Sequence, residues 1–298
     1  MLQSILIGTD WLADHLDTPN LRVVDIRGHV IPASEPLPHY YNHHADYLVS
    51  HIPGAVFVDW VHAITDPADP RHAKIAQPDR FAAAMGAAGI DDSTHVIVYD
   101  DAKGMFAARL WWALNYYGHS QVAVLNGGWE KWTAEQRPVS AEIPNFSAGD
   151  FTVRRRADIY RNADQIAAQL GSTQQPSKIQ QPGKTQQLID VRSVDEYEGR
   201  TSRAPRKGHI PTAVNLPRTD LTQEDATMPP PHVLRERFKA VGVDDDSKDV
   251  VFYCNGGVSA SYGLLAYHAA GFTGGSVYDG SWKDWGNDLS KPIHSLKA

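Results

Sequence analysis

The chain has a single cysteine, Cys254, placed where a thiol can be made reactive. The apolar run Val250-Val251-Phe252-Tyr253 leads into it, Asn255-Gly256-Gly257 follows, and Ser259 to His268 reads as a helix. A thiol at that junction lies at the carboxyl end of a buried strand, the usual ligand position in an open α/β sheet. It also faces the amino end of a helix, whose free N–H groups and dipole favour the thiolate. Gly256 and Gly257 let the backbone bend, so that the N–H groups of Asn255, Gly256, Gly257, Val258 and Ser259 can converge on one anion. Held this way, Cys254 is a nucleophile. The competing reading, an inert buried hydrophobe, fits a glycine-containing loop less well.

The loop resembles the active-site loop of the rhodaneses, the thiosulfate and 3-mercaptopyruvate sulfurtransferases. The likeness rests on a strand ending in Tyr253-Cys254, a tight turn closing on Gly257-Val258-Ser259-Ala260, and the helix after it. Two further stretches fit the same family, Gly208-His209-Ile210-Pro211-Thr212-Ala213-Val214-Asn215 upstream and Val277-Tyr278-Asp279-Gly280-Ser281-Trp282-Lys283-Asp284-Trp285 downstream. The resemblance implies a sulfurtransferase that takes a sulfane sulfur from a small anionic donor, 3-mercaptopyruvate or thiosulfate. Cys254 would hold it as a persulfide and pass it to cyanide, a small thiol or a thioredoxin-like acceptor, with no cofactor and no metal. In this family the segment before Gly-His-Ile-Pro supplies substrate-binding arginines, which points to Arg200, Arg203 and Arg206. Arg192 is expected to pair with Asp190 or a neighbouring carboxylate.

Three departures matter. Where many two-domain members have an arginine before an aromatic-x-Gly, this chain has Glu196-Tyr197-Glu198-Gly199. Asn255-Gly256 matches neither the basic loop of thiosulfate-preferring members nor the Gly-Ser or Gly-Ala of mercaptopyruvate-preferring ones, and the uncharged loop lies nearer the latter. Gly256 also lacks the serine proposed there as a proton relay. A fold-related class, the dual-specificity phosphatases, needs an arginine six positions after its cysteine to clamp phosphoryl oxygens, and Ala260 stands there. The remaining alternative is a non-enzymatic sulfur-relay or binding module that hands persulfide sulfur to a protein partner.

The elements that must position Cys254 occur twice. Leu21 to Arg27, His51-Ile52-Pro53, Val96 to Asp100 and Gly127-Gly128-Trp129 recur in order as Leu188 to Arg192, His209-Ile210-Pro211, Val250 to Cys254 and Gly280-Ser281-Trp282. From His51 to Asp100 is 49 positions and from His209 to Cys254 is 45, while from Asp100 to Trp129 is 29 and from Cys254 to Trp282 is 28. The expected fold is α/β: two tandem rhodanese-like domains, each a parallel sheet with helices on both faces, over residues 1–145 and 158–298.

Asp100 stands where Cys254 stands, so the first domain is expected to be catalytically inactive. With one glycine, Gly104, and bulky Met105 and Phe106 following, its loop is not expected to form the amide cradle. Helices are expected over Thr9 to His15, capped by Thr9 or Asp10, over Pro78 to Ala88 and over Gly104 to Tyr117, with a further one from Ala163 to Leu170. Phe106, Leu110, Trp111 and Leu114 should face the core. Residues 138–157 read as a linker, and Ser172 to Gln187 as a polar surface loop within the second domain. The histidines of the 28–50 insertion (His29, His39, His43, His44, then His51) match no zinc-ligand spacing, and a polar loop at the mouth of a cleft is the better reading.

The 298 residues, 42% hydrophobic, suffice for two cores, and a formal charge of −7 argues against a nucleic-acid partner. One cysteine excludes an internal disulfide. With no leader-like start and no apolar run of membrane-spanning length, a soluble cytoplasmic protein is expected.

Overall fold

The computed structural model describes residues 4–72, 74–173, 185–243 and 248–295. The chain divides into two compact units, 1–156 with 222–228, and 157–221 with 229–298.

In the first unit the strands are β1 (Leu6–Ile7), β2 (Leu21–Asp25), β3 (Gly28–Val30), β4 (Tyr40–Asn42), β5 (Val56–Phe57), β6 (His95–Tyr99) and β7 (Val122–Leu125). The helices are α1 (Thr9–Asp14), α2 (His44–Val49), α3 (Pro78–Ala87), α4 (Met105–Tyr116) and α5 (Gly128–Ala134). A parallel sheet runs β1-β7-β6-β2-β5. The second unit has β8 (Tyr160–Arg161), β9 (Gln186–Asp190), β10 (Val214–Asn215), β11 (Asp249–Tyr253) and β12 (Ser276–Tyr278), with α6 (Ala163–Thr173), α7 (Val194–Tyr197), α8 (Pro231–Ala240), α9 (Val258–Ala269) and α10 (Ser281–Trp285). Its sheet, β8-β12-β11-β9-β10, is also parallel and has the same order. Two sheets of one topology are the structural form of the repeat.

The central strands β6 and β11 are continuous apolar runs because helices cover them on both faces; Val250, Val251, Phe252 and Tyr253 have no exposed surface. Each central strand ends in a tyrosine whose hydroxyl is tied into the fold. Tyr99 Oη donates to Asp25 Oδ2 (2.6 Å) and accepts from Ile52 N (3.2 Å), and Tyr253 Oη accepts from Ile210 N (3.2 Å). Arg27 pairs with Asp25 at 2.8 Å, and Arg192 with Asp190 at 2.6 Å as its sequence position suggested. These buried groups, bonded to one another and to the backbone, fix the strand ends from which both loops leave.

The core face of α4 is as expected, with Phe106, Leu110, Trp111 and Leu114 all buried. The cap of α1 is not. Its N-cap is Gly8 without a side-chain bond, and Thr9 Oγ1 donates to Glu135 Oε2 (2.6 Å) instead. The 28–50 insertion is an antiparallel β3–β4 hairpin followed by α2, and among the described residues no group of His, Cys, Asp and Glu is placed to hold a metal. Residues 138–156, expected as a linker, lie along the first unit, with Gly149 N on Gly86 O (2.9 Å) and Arg154 N on Tyr117 O (2.9 Å). Their backbone groups need partners, and the unit supplies them. The polar stretch Ser172 to Gln187 falls largely on 174–184, outside the described residues. No helix among the described residues is long and apolar enough to cross a membrane.

Candidate active site

Cys254 is the residue immediately after β11, and Gly257, in the left-handed region at φ 78°, turns the chain into α9. The Gly104 N-cap of α4 has the same conformation, φ 79°, one which glycine adopts without a Cβ clash. The turn is clamped from α10. Trp282 N donates to Cys254 O and Lys283 N to Asn255 O, both at 2.9 Å. Ser281 Oγ accepts from Cys254 N and Gly257 N, each at 3.1 Å, and donates to Tyr278 O at 2.7 Å.

The thiol is buried, with 4% of the residue exposed. Burial pushes its pKa up, while hydrogen bonds from the Ala260, Gly256 and Gly257 amides and the Ser281 hydroxyl pull it down. Burial wins. This reverses the expectation of a resting thiolate: the amides converge, but they do not fully replace the water that the sulfur has lost. The leading donors also include one that was not expected, the Ala260 amide on the first turn of α9.

Asn255 Nδ2 donates to Glu196 Oε1 at 2.7 Å, and its Oδ1 is buried with no hydrogen-bond partner among the described residues. Glu196 also closes a capping box with Ser193 at the start of α7. Lys283 is nearly buried, which pushes its pKa down to about 8.

The three arginines do not act as a set. Arg200 pairs with Asp195 (2.6 Å) and Glu198, its side chain 55% exposed. Arg206 donates to the backbone carbonyls of Trp285 (2.6 Å), Lys291 (2.7 Å), Gly286 (3.2 Å) and Asp288, fastening the chain after α10. Arg203 is half-buried in the same segment. A guanidinium directed at four carbonyls has few N–H groups left for a donor anion.

The first unit corrects a second expectation. The Asp100 carboxylate accepts from Ala102 N (2.9 Å) and Gly104 N (2.8 Å) on Oδ1, and from Ala107 N (2.8 Å) on Oδ2. The cradle is formed, and a side chain fills it. Met105 and Phe106 do not disrupt it because the loop holds one more residue before its helix than the Cys254 loop does. Trp129 N donates to Asp100 O (2.8 Å), as Trp282 N does to Cys254 O.

Ser281 and Glu196 were not picked out as site residues from the sequence. Ser281 lies in the Gly-Ser-Trp stretch, which served there only as a family landmark, and Glu196 was noted only for the arginine it replaces.

Comparison with known proteins agrees with this geometry. The rhodanese-like domain description matches residues 8–135 and 173–288. The sulfur carrier protein TtuD of Thermus thermophilus is 31% identical over 97% of this chain and 96% of its own. Thiosulfate sulfurtransferase of Bos taurus is 32% identical over 96% and 93%. The crystal structure of SseA from Escherichia coli, reported with the catalytic mechanism of 3-mercaptopyruvate sulfotransferases, superposes with a TM-score of 0.78 at 30% identity, covering 94% of this chain and 99% of that one.

Proposed function

The chain belongs to the rhodanese family and is a sulfurtransferase, and from that premise we propose that its second unit carries the transferred sulfur as a persulfide on Cys254. The observation behind this reading is the set of Gly256, Gly257 and Ala260 amides directed at the Cys254 sulfur. Such a set stabilises negative charge on sulfur without reorganising.

The donor is a small anion. With thiosulfate, the Cys254 thiolate attacks the sulfane sulfur, a new S–S bond forms, and sulfite leaves with the electron pair of the old one. With 3-mercaptopyruvate, the C–S bond breaks and the thiol proton ends on the enolate carbon, giving pyruvate. In both cases the enzyme is left with Cβ–Sγ–S⁻. A thiophilic acceptor, cyanide or a thiolate, then attacks the outer sulfur and returns the Cys254 thiolate. The first unit takes no part in this chemistry, since Asp100 cannot accept sulfane sulfur.

Mass spectrometry after exposure to each donor tests the reading. One added sulfur atom is expected on the wild-type chain and none on Cys254→Ala; no adduct with either donor would overturn it. The relative named as a sulfur carrier supports a second reading, delivery to a protein thiol. Faster discharge of the persulfide by reduced thioredoxin than by cyanide or a small thiol would favour it.

A further inference from the structure

We infer that Glu196 selects the donor by charge, favouring singly charged donors over doubly charged ones. This deepens the reading above and rests on it. No side chain from Cys254 to Ser261 carries a formal charge other than the thiolate itself. A charged group is hydrogen-bonded to that loop by its side chain: Glu196, held against Asn255 at 2.7 Å. Its carboxylate cannot swing away easily, because its second oxygen is engaged by Ser193 Oγ (3.1 Å) in the capping box. Asn255, the residue after Cys254, presents its amide nitrogen to Glu196 and keeps its oxygen buried without a partner among the described residues.

The cations that could offset Glu196 are largely committed. Arg192, whose charge also acts on Glu196, is bound to Asp190 and to Gly208 O, Arg200 to Asp195 and Glu198, and Arg206 to four carbonyls. Lys283 is held to the loop by its backbone, and burial lowers its pKa to about 8.

A fixed charge acts on a donor in proportion to the donor's own charge. Thiosulfate carries two negative charges and mercaptopyruvate one, so Glu196 penalises the former twice as heavily in free energy. The change in rate for thiosulfate on neutralising Glu196 should then be the square of the change for mercaptopyruvate.

Glu196→Gln keeps the shape while removing the charge: its one oxygen retains the bonds from Ser193, and its NH2 donates to Asn255 Oδ1 once that amide turns over. In this variant, kcat/KM should rise about threefold for mercaptopyruvate and about tenfold for thiosulfate, values typical of a charge several ångströms away in a partly solvated site. The wild-type preference for the singly charged donor should also narrow as ionic strength rises, since salt screens the carboxylate. A structural role alone would move both donors together and leave the salt dependence unchanged. A donor ratio in Glu196→Gln within twofold of wild type, or a wild-type ratio indifferent to salt, overturns the inference alone. No sulfur adduct on the wild-type chain with either donor overturns the sulfur-transfer reading, and this inference with it.

Discussion

Ser281 holds Cys254 through the backbone: its Oγ accepts from Cys254 N at 3.1 Å while also accepting from Gly257 N, so one hydroxyl pins both ends of the Cys254 turn. Its own backbone is in the left-handed region at φ 52°, an unfavourable conformation for a serine that the surrounding bonds maintain. Ser281→Ala leaves two buried amides without an acceptor and removes the donor to the Tyr278 carbonyl. A drop in kcat of about 10- to 100-fold and a stability loss of about 1–3 kcal/mol are expected, read by steady-state kinetics and denaturant unfolding. Unchanged kcat would show that the amides position the sulfur without it.

The raised pKa of the Cys254 thiol gives a pH prediction. The acid form is favoured by burial, so the thiolate fraction at neutral pH is below that of an ordinary cysteine. Alkylation by iodoacetamide and kcat/KM for the donor should both keep rising with pH beyond the range where free cysteine has levelled off. A plateau reached at or below neutrality would mean that the amide cradle outweighs burial.

Arg206 and Arg200 should separate cleanly. Arg206→Ala removes hydrogen bonds to four carbonyls and should cost about 2–3 kcal/mol of stability, with Lys a poor substitute because it has no planar fork. Arg200→Ala breaks exposed ion pairs only and should change stability by less than about 0.5 kcal/mol. Melting temperatures of the two variants check this; equal losses would contradict it.

This separation bears on how much was legible in the sequence. The repeat, the parallel sheets and the Cys254 loop could all be read, because each depends on local pattern: apolar runs, paired glycines, repeated spacing. The fate of the arginines could not. A run of basic residues looks the same whether its guanidinium groups face a substrate or, like Arg206, cap a helix 80 residues away at Gly286. The cradle around Asp100 was missed for a similar reason, since bulky side chains at Met105 and Phe106 say nothing about where the backbone N–H groups beneath them point.

Glu130 offers a test in the first unit. Burial, with Asp100 and Asp101 adding to it, pushes its carboxyl up to about 7, and its Oε2 is buried without a hydrogen-bond partner among the described residues. The folded-state pKa is raised, so the folded chain binds the extra proton between about 4.5 and about 7. This contribution to stability is complete below that window and is lost as pH rises through it. Glu130→Gln should flatten that part of the stability profile and stabilise the protein at pH 8 by about 1–2 kcal/mol, after discounting for partial solvation. Urea unfolding at several pH values would show it, and a variant less stable at pH 8 would refute it.

The filled cradle of Asp100 has a consequence of its own. An amide nest built to receive an anion is, in the first unit, occupied by a tethered one: the carboxylate sits on the strand end and cannot leave, so its local concentration never falls. It is a receptor sold with its ligand attached, immune to competition from any free anion in solution. The same chain thus carries one nest permanently filled by its own carboxylate, and another directed at the sulfur of a cysteine.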